Sequence, residues 1–160
     1  KDLESFKRAA LALVDTNSLR YSKTIHGDLT FSNLIIQENT NDFIYIDPNP
    51  SSHQLLPATI VDWSKIMQSC SSQWELAIAN PGLLSYLGHN ASESYSIPSP
   101  INVINFRLNF QEILEQQGYN LDMLKLHEAV HLSRALPYIT QEKNLAKYVS
   151  SRIISLIGVP

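Results

Sequence analysis

Between Asp2 and Asp15 the apolar residues Leu3, Phe6, Ala10, Leu13 and Val14 recur at helical spacing, with Lys7 and Arg8 on the other side. This stripe predicts an amphipathic helix that ends at the polar break Thr16-Asn17-Ser18. The period then changes. Leu34-Ile35-Ile36 and Phe43-Ile44-Tyr45-Ile46 are short runs of β-branched and aromatic residues, and Glu38-Asn39-Thr40-Asn41-Asp42 between them is turn chemistry, so a β-hairpin is expected. Pro48, Pro50 and Pro57 predict an irregular loop over residues 48–58, because each removes a backbone N–H and fixes φ. Helical spacing returns from Ile60 to about Ala79 and stops before Asn80-Pro81-Gly82, after which a loop rich in Ser and Pro is expected to reach Pro100. Three further stripes predict helices. Val103, Phe106, Phe110, Ile113 and Leu114 mark one stopped by Gly118. Leu121, Leu124, Ala129, Leu132 and Leu136 mark one stopped by Pro137, and Leu145, Tyr148, Val149, Ile153, Leu156 and Ile157 mark one stopped by Gly158. The expected class is α+β, mostly helical: one domain over residues 1–160 carrying one small hairpin, with no internal repeat.

Composition narrows the function classes. With 160 residues, 44% apolar and 17% charged, the chain has the make-up of a folded domain and not of a disordered or collagen-like one. The net charge is -3, and the 12 Lys and Arg are scattered, so no basic footprint for nucleic acid is present. No apolar run approaches the roughly 18 residues of a membrane span. The lone cysteine, Cys70, cannot form an internal disulfide, which suits a reducing cytoplasm. That compartment also sets aside the glycosylation-like Asn90-Ala91-Ser92. Lys1-Asp2-Leu3-Glu4 resembles neither a signal peptide nor a mature N-terminus, so the chain is expected to begin mid-sequence.

Candidate chemistry clusters around the hairpin. Asp28 and Asn33 stand at the mouth of its first strand and Asp47 ends its second. Antiparallel pairing sets the start of one strand beside the end of the other, so Asn33 and Asp47 can converge. A carboxylate and an amide oxygen are hard donors that suit Mg²⁺, and Asp28 on the preceding loop could orient or deprotonate an attacking hydroxyl. Asn49 could touch the same metal or a substrate, or serve only the Pro48-Asn49-Pro50 loop. Trp63 and Trp74 read as core residues.

The run His26-Gly27-Asp28-Leu29-Thr30-Phe31-Ser32-Asn33-Leu34-Ile35, followed by Ile46-Asp47-Pro48, resembles the catalytic core of the protein-kinase-like small-molecule phosphotransferases. That group includes aminoglycoside phosphotransferases and choline kinases. The resemblance implies a protein-kinase-like C-lobe, with Asp28 as catalytic base, Asn33 as a metal ligand and Asp47 as the principal one. It further implies ATP and Mg²⁺ as cofactors, a hydroxyl of a small molecule as acceptor, and structural support from His26 and from Asp62 in Val61-Asp62-Trp63-Ser64-Lys65. The likeness is close over roughly residues 1–79 and loose, as a run of helices, beyond. Only 5 glycines are present, Gly27, Gly82, Gly88, Gly118 and Gly158, so the chain holds no Gly-rich phosphate loop. Neither a strand bearing a nucleotide Lys nor a helix bearing its Glu partner precedes the 26–33 loop. The expectation is therefore an N-terminal ATP-gripping lobe outside this chain and weak ATP binding by the chain alone. Two other readings stay open. One is a kinase-like binding module without catalysis. The other is a zinc hydrolase built on His127-Glu128-Ala129-Val130-His131, which fits H-E-x-x-H and has Glu142 as its nearest third ligand.

Overall fold

The computed structural model describes residues 3–14, 19–40, 42–88, 97 and 99–158. Helix α1 (Leu3–Ala12) leads into a long loop and a 3-10 turn (Phe31–Asn33), then strands β1 (Leu34–Gln37) and β2 (Asp42–Tyr45). Helices α2 (Pro50–Leu55), α3 (Ile60–Cys70), α4 (Trp74–Ala79) and α5 (Pro81–Gly88) follow. Then come α6 (Ile101–Gln116), α7 (Leu121–Ala135) and α8 (Lys143–Leu156). The class is α+β and mostly helical, as the apolar pattern predicts. Among the described residues no helix is long and apolar enough to cross a membrane.

The hairpin pairs Leu34 with Tyr45, Ile35 with Ile44, Ile36 with Phe43 and Gln37 with Asp42. Its strands remain largely exposed, so cross-strand side-chain pairs, and not burial, hold its register. The long helices end where local chemistry stops them. Asn120 Oδ1 accepts from the amides of Asp122 and Met123 and so caps α7. Gly118, at φ +78, turns the chain out of α6 while its amide bonds to the Glu115 carbonyl. Pro137 sits in the 3-10 turn Leu136–Tyr138 that closes α7.

Helix α7 divides its apolar residues between two clusters. Ala129 and Leu132 join Ala77, Leu84, Leu145, Tyr148, Val149 and Ile153 from α4, α5 and α8. Met123 and Leu124 join Ala58, Ile60, Leu114 and Tyr119 from α3, α6 and their flanks. Each fully buried leucine or isoleucine here contributes about 1.5–3 kcal/mol. The helix that serves both clusters carries His127, Glu128 and His131, and it packs against α3, which carries Asp62 and Lys65.

Three expectations from the sequence are corrected. The 48–58 segment is not wholly irregular, because Pro50 occupies the first position of α2, where its missing N–H costs nothing, and Asn49 Oδ1 caps the helix through the Ser51 amide at 3.1 Å. The expected single helix over 60–79 breaks into α3 and α4, with Gln73 in the left-handed region at φ 46. Tertiary partners hold that break: the Tyr148 hydroxyl donates to the Ser72 carbonyl at 2.6 Å, and Gln73 Nε2 donates to the Ile97 carbonyl at 2.9 Å. Part of the expected loop to Pro100 is α5, which Pro81 starts instead of preventing. The expected break at Thr16-Asn17-Ser18 and the Asn90-Ala91-Ser92 tripeptide lie outside the described residues.

Candidate functional site

The 26–33 loop is held at its neck by one carboxylate. Asp62, in the first turn of α3 and almost fully buried, accepts the His26 amide at 2.8 Å on Oδ2 and the Gly27 amide at 2.6 Å on Oδ1. Charge-assisted bonds of this kind are about twice as strong as neutral ones, and the position also suits the positive end of the helix dipole. The other side of the neck meets α2 and its cap. The Asn49 amide donates to the His26 carbonyl at 2.8 Å, and the Ser52 hydroxyl donates to the Gly27 carbonyl at 3.0 Å. The His26 ring spans the site. Its Nδ1 accepts the Asp28 amide at 3.3 Å, so a neutral ring carries its proton on Nε2 and donates it to the Ile46 carbonyl at 2.8 Å. One imidazole thus ties the loop to the end of the hairpin.

Within the loop, Asn33 folds back on Asp28. Its Nδ2 donates to the Asp28 carbonyl at 2.8 Å and to the Asp28 carboxylate at 3.3 Å. The other carboxylate oxygen pairs with the Lys65 ammonium from α3 at 2.9 Å. Asp28 and Asn33 are therefore in contact. Asp47 is set beside them by the backbone: the Ile46 amide bonds to the Asn33 carbonyl at 3.1 Å, and Asp47 is the next residue, exposed and left-handed at φ 56. Asn33 uses its nitrogen on Asp28, which leaves Oδ1 as its metal-compatible atom. That oxygen and the Asp47 carboxylate are both hard donors of the kind Mg²⁺ accepts when phosphates and water complete its sphere.

Two cavities flank this loop. One, of about 520 Å³, opens beside Asp28 and is bounded also by Lys65, Gln68, His131 and Arg134. The other, of about 490 Å³, lies under the hairpin and is walled by Leu29, Phe31, Leu34, Phe43, Trp63 and Phe106. The sequence reading missed Lys65, Gln68 and Arg134 as site residues. A signal existed for two of them, since Lys65 and Arg134 lie three residues after Asp62 and His131 respectively, so each shares a face with a residue already singled out.

The three residues of the H-E-x-x-H motif do not gather around a point. His127 and His131 border a common hollow, whereas Glu128 is fully buried and accepts from the Ser72 hydroxyl. Burial pushes the Glu128 carboxyl up to about 7, against the opposing pull of Ser72 and Arg152. Burial also pushes His131 down to about 3, helped by the positive charge of Lys65, and lowers His127. Glu142 stands at the N-terminal boundary of α8, without a side-chain capping bond, and borders a separate surface hollow. Among the described residues no three His, Cys, Asp or Glu side chains are grouped to hold a metal ion. Cys70 is buried, and its thiol is pushed up to about 12 chiefly by that burial, which leaves it unreactive. Comparison of the chain with protein-family models, with curated proteins and with solved structures finds no match.

Proposed function

We propose that this chain is the catalytic lobe of a protein-kinase-like small-molecule phosphotransferase, which moves the γ-phosphoryl group of ATP onto a hydroxyl of a small metabolite. The observation that carries this reading is the contact of Asp28 with Asn33, on a loop whose neck is fixed by the two amide bonds to Asp62. Phosphoryl transfer needs little covalent chemistry from the protein and depends on positioning and charge. Asp28 would serve as base, its carboxylate held by Lys65 and Asn33 at the edge of a metabolite-sized cavity while its side chain stays 35% exposed. Asn33 and Asp47 would hold Mg²⁺, which when bound neutralises charge on the phosphates. His26 and Asp62 keep the loop in shape and touch no reacting atom. The reading assigns the grip on the triphosphate to an N-terminal lobe outside these 160 residues, and the cytoplasm as the compartment that supplies ATP.

The test is ATP turnover by the full-length protein with Asp28→Asn and Asp47→Asn. Both variants should lose at least about a hundredfold in turnover, in the range that loss of a general base or a metal ligand produces, while keeping the wild-type melting temperature within a few degrees. Near-normal turnover of Asp47→Asn at limiting Mg²⁺ would remove the metal assignment. No turnover by the wild type over a broad hydroxyl panel would leave a non-catalytic binding module.

A further inference from the structure

The cavity beside Asp28 has the volume of a small-metabolite site, and its charge is one-sided. Asp28 contributes its carboxylate, already paired with Lys65 at 2.9 Å. Arg134 adds a second cation to the wall, and among the described residues it forms no ion pair. Among the described residues no other carboxylate lines the cavity, so that part of the wall carries one surplus positive charge.

Two further polar groups belong to that wall. Gln68 Oε1 and His131 Nε2 are buried without a hydrogen-bond partner, in residues only 1% and 6% exposed. A buried polar atom left unpaired costs about 1–3 kcal/mol, so such atoms mark places where a ligand or water is wanted. Burial holds the His131 ring neutral, and a hydroxyl, which can both donate and accept, satisfies its unpartnered Nε2 in either tautomer. Gln68 Oε1 is an acceptor. Both atoms therefore suit hydroxyl groups, and the surplus cation calls for an anion. A cationic acceptor would face Arg134 and the paired Lys65 with nothing in the wall to neutralise it.

We propose that this cavity is the acceptor site and selects a hydroxyl-bearing anion: a small polyol or sugar with a carboxylate or phosphate group. Arg134 binds the anionic group, Gln68 and His131 hydrogen-bond hydroxyls, and the reacting hydroxyl lies towards Asp28. The choice of acceptor rests on the phosphotransferase reading, but the binding does not. In the transfer, the acceptor oxygen forms a bond to the γ-phosphorus as the β–γ bridging P–O bond breaks. The hydroxyl proton passes to the Asp28 carboxylate, and ADP leaves with the electron pair.

The experiment measures binding to the full-length protein by calorimetry, without nucleotide, using gluconate, glucose 6-phosphate, glucose and glucosamine. At least one of the two anions should bind at least tenfold more tightly than glucose or glucosamine, and the tighter anion tells carboxylate from phosphate. Arg134→Gln should erase the preference, and Arg134→Lys should restore most of it, which a merely structural role would not. Glucose or glucosamine binding as well as the anions, an unchanged preference in Arg134→Gln, or no anion binding at 10 mM would each overturn the proposal. The two readings fail separately. Anion binding without any ATP-dependent phosphorylation of the bound anion would sink the phosphotransferase reading and leave the anion site standing. ATP-dependent phosphorylation of glucosamine alone would do the reverse.

Discussion

Gly27 stands where no side chain fits: at φ +81, a Cβ would lie 2.4 Å from the Asn49 carbonyl oxygen and 2.8 Å from Ser52 Cβ. Both obstacles belong to α2 and its cap, so relief would require moving that helix. Gly27→Ala should therefore lose about 2 kcal/mol or more of stability. Thermal unfolding should show this as a fall of roughly 4–8 °C, and an unchanged melting temperature would mean that the neck is looser than described. Asp62→Ala should cost about 2–4 kcal/mol, since two backbone amides lose a charged acceptor. The sequence singles out Asp28, Asn33 and Asp62 because their spacing forms a recognisable pattern. It does not show that Lys65 shares the Asp28 carboxylate, because that contact depends on how α3 docks against a loop distant in sequence.

At the scale of elements, α7 contains two ionisable groups whose burial acts in opposite directions. Glu128, raised from 4.5 to about 7, keeps a proton in the fold that the unfolded chain has released. Its contribution to stability is therefore lost as pH rises through about 4.5–7. His131, lowered from 6.5 to about 3, refuses a proton that the unfolded chain accepts, so its contribution is lost as pH falls below 6.5. His127 adds to the second slope. Lys65 of α3, with His127 and Arg134 of α7 itself, faces His131, while Ser71, Ser72, Arg152 of α8 and Arg107 of α6 face Glu128. Between about pH 4.5 and 6.5 the two slopes offset. Relative to wild type, Glu128→Gln should lose melting temperature towards acid, and His131→Leu should lose it towards neutral pH. Parallel curves for all three proteins would contradict the burial of both groups. Helix existence was readable wherever an apolar stripe ran long, as in α6, α7 and α8. The boundaries within residues 48–88 were not, because Pro50 and Pro81 act as helix starters and Ser72-Gln73 breaks a continuous stripe, with Ser72 held by Tyr148 and Gln73 bonded to Ile97.

For the molecule as a whole, sharing α7 between two apolar clusters makes the body one cooperative unit. Leu132→Ala, at a side chain with 0% exposure, should cost about 2–5 kcal/mol and move a single unfolding transition to lower temperature. Two separated transitions would mean that the clusters unfold independently. The Asp62 clamp carries a consequence for time as well as for geometry. The amides of His26 and Gly27 are shielded by a carboxylate that lies 36 and 35 residues further along the chain, so neither can exchange its hydrogen for deuterium until α3 lifts away. Their exchange rates should match those of amides in the middle of α3, and run orders of magnitude slower than that of the nearby Thr24 amide, which bonds only to the local Ser22 hydroxyl. The loop that bears Asp28 would then open no more often than the helical body itself.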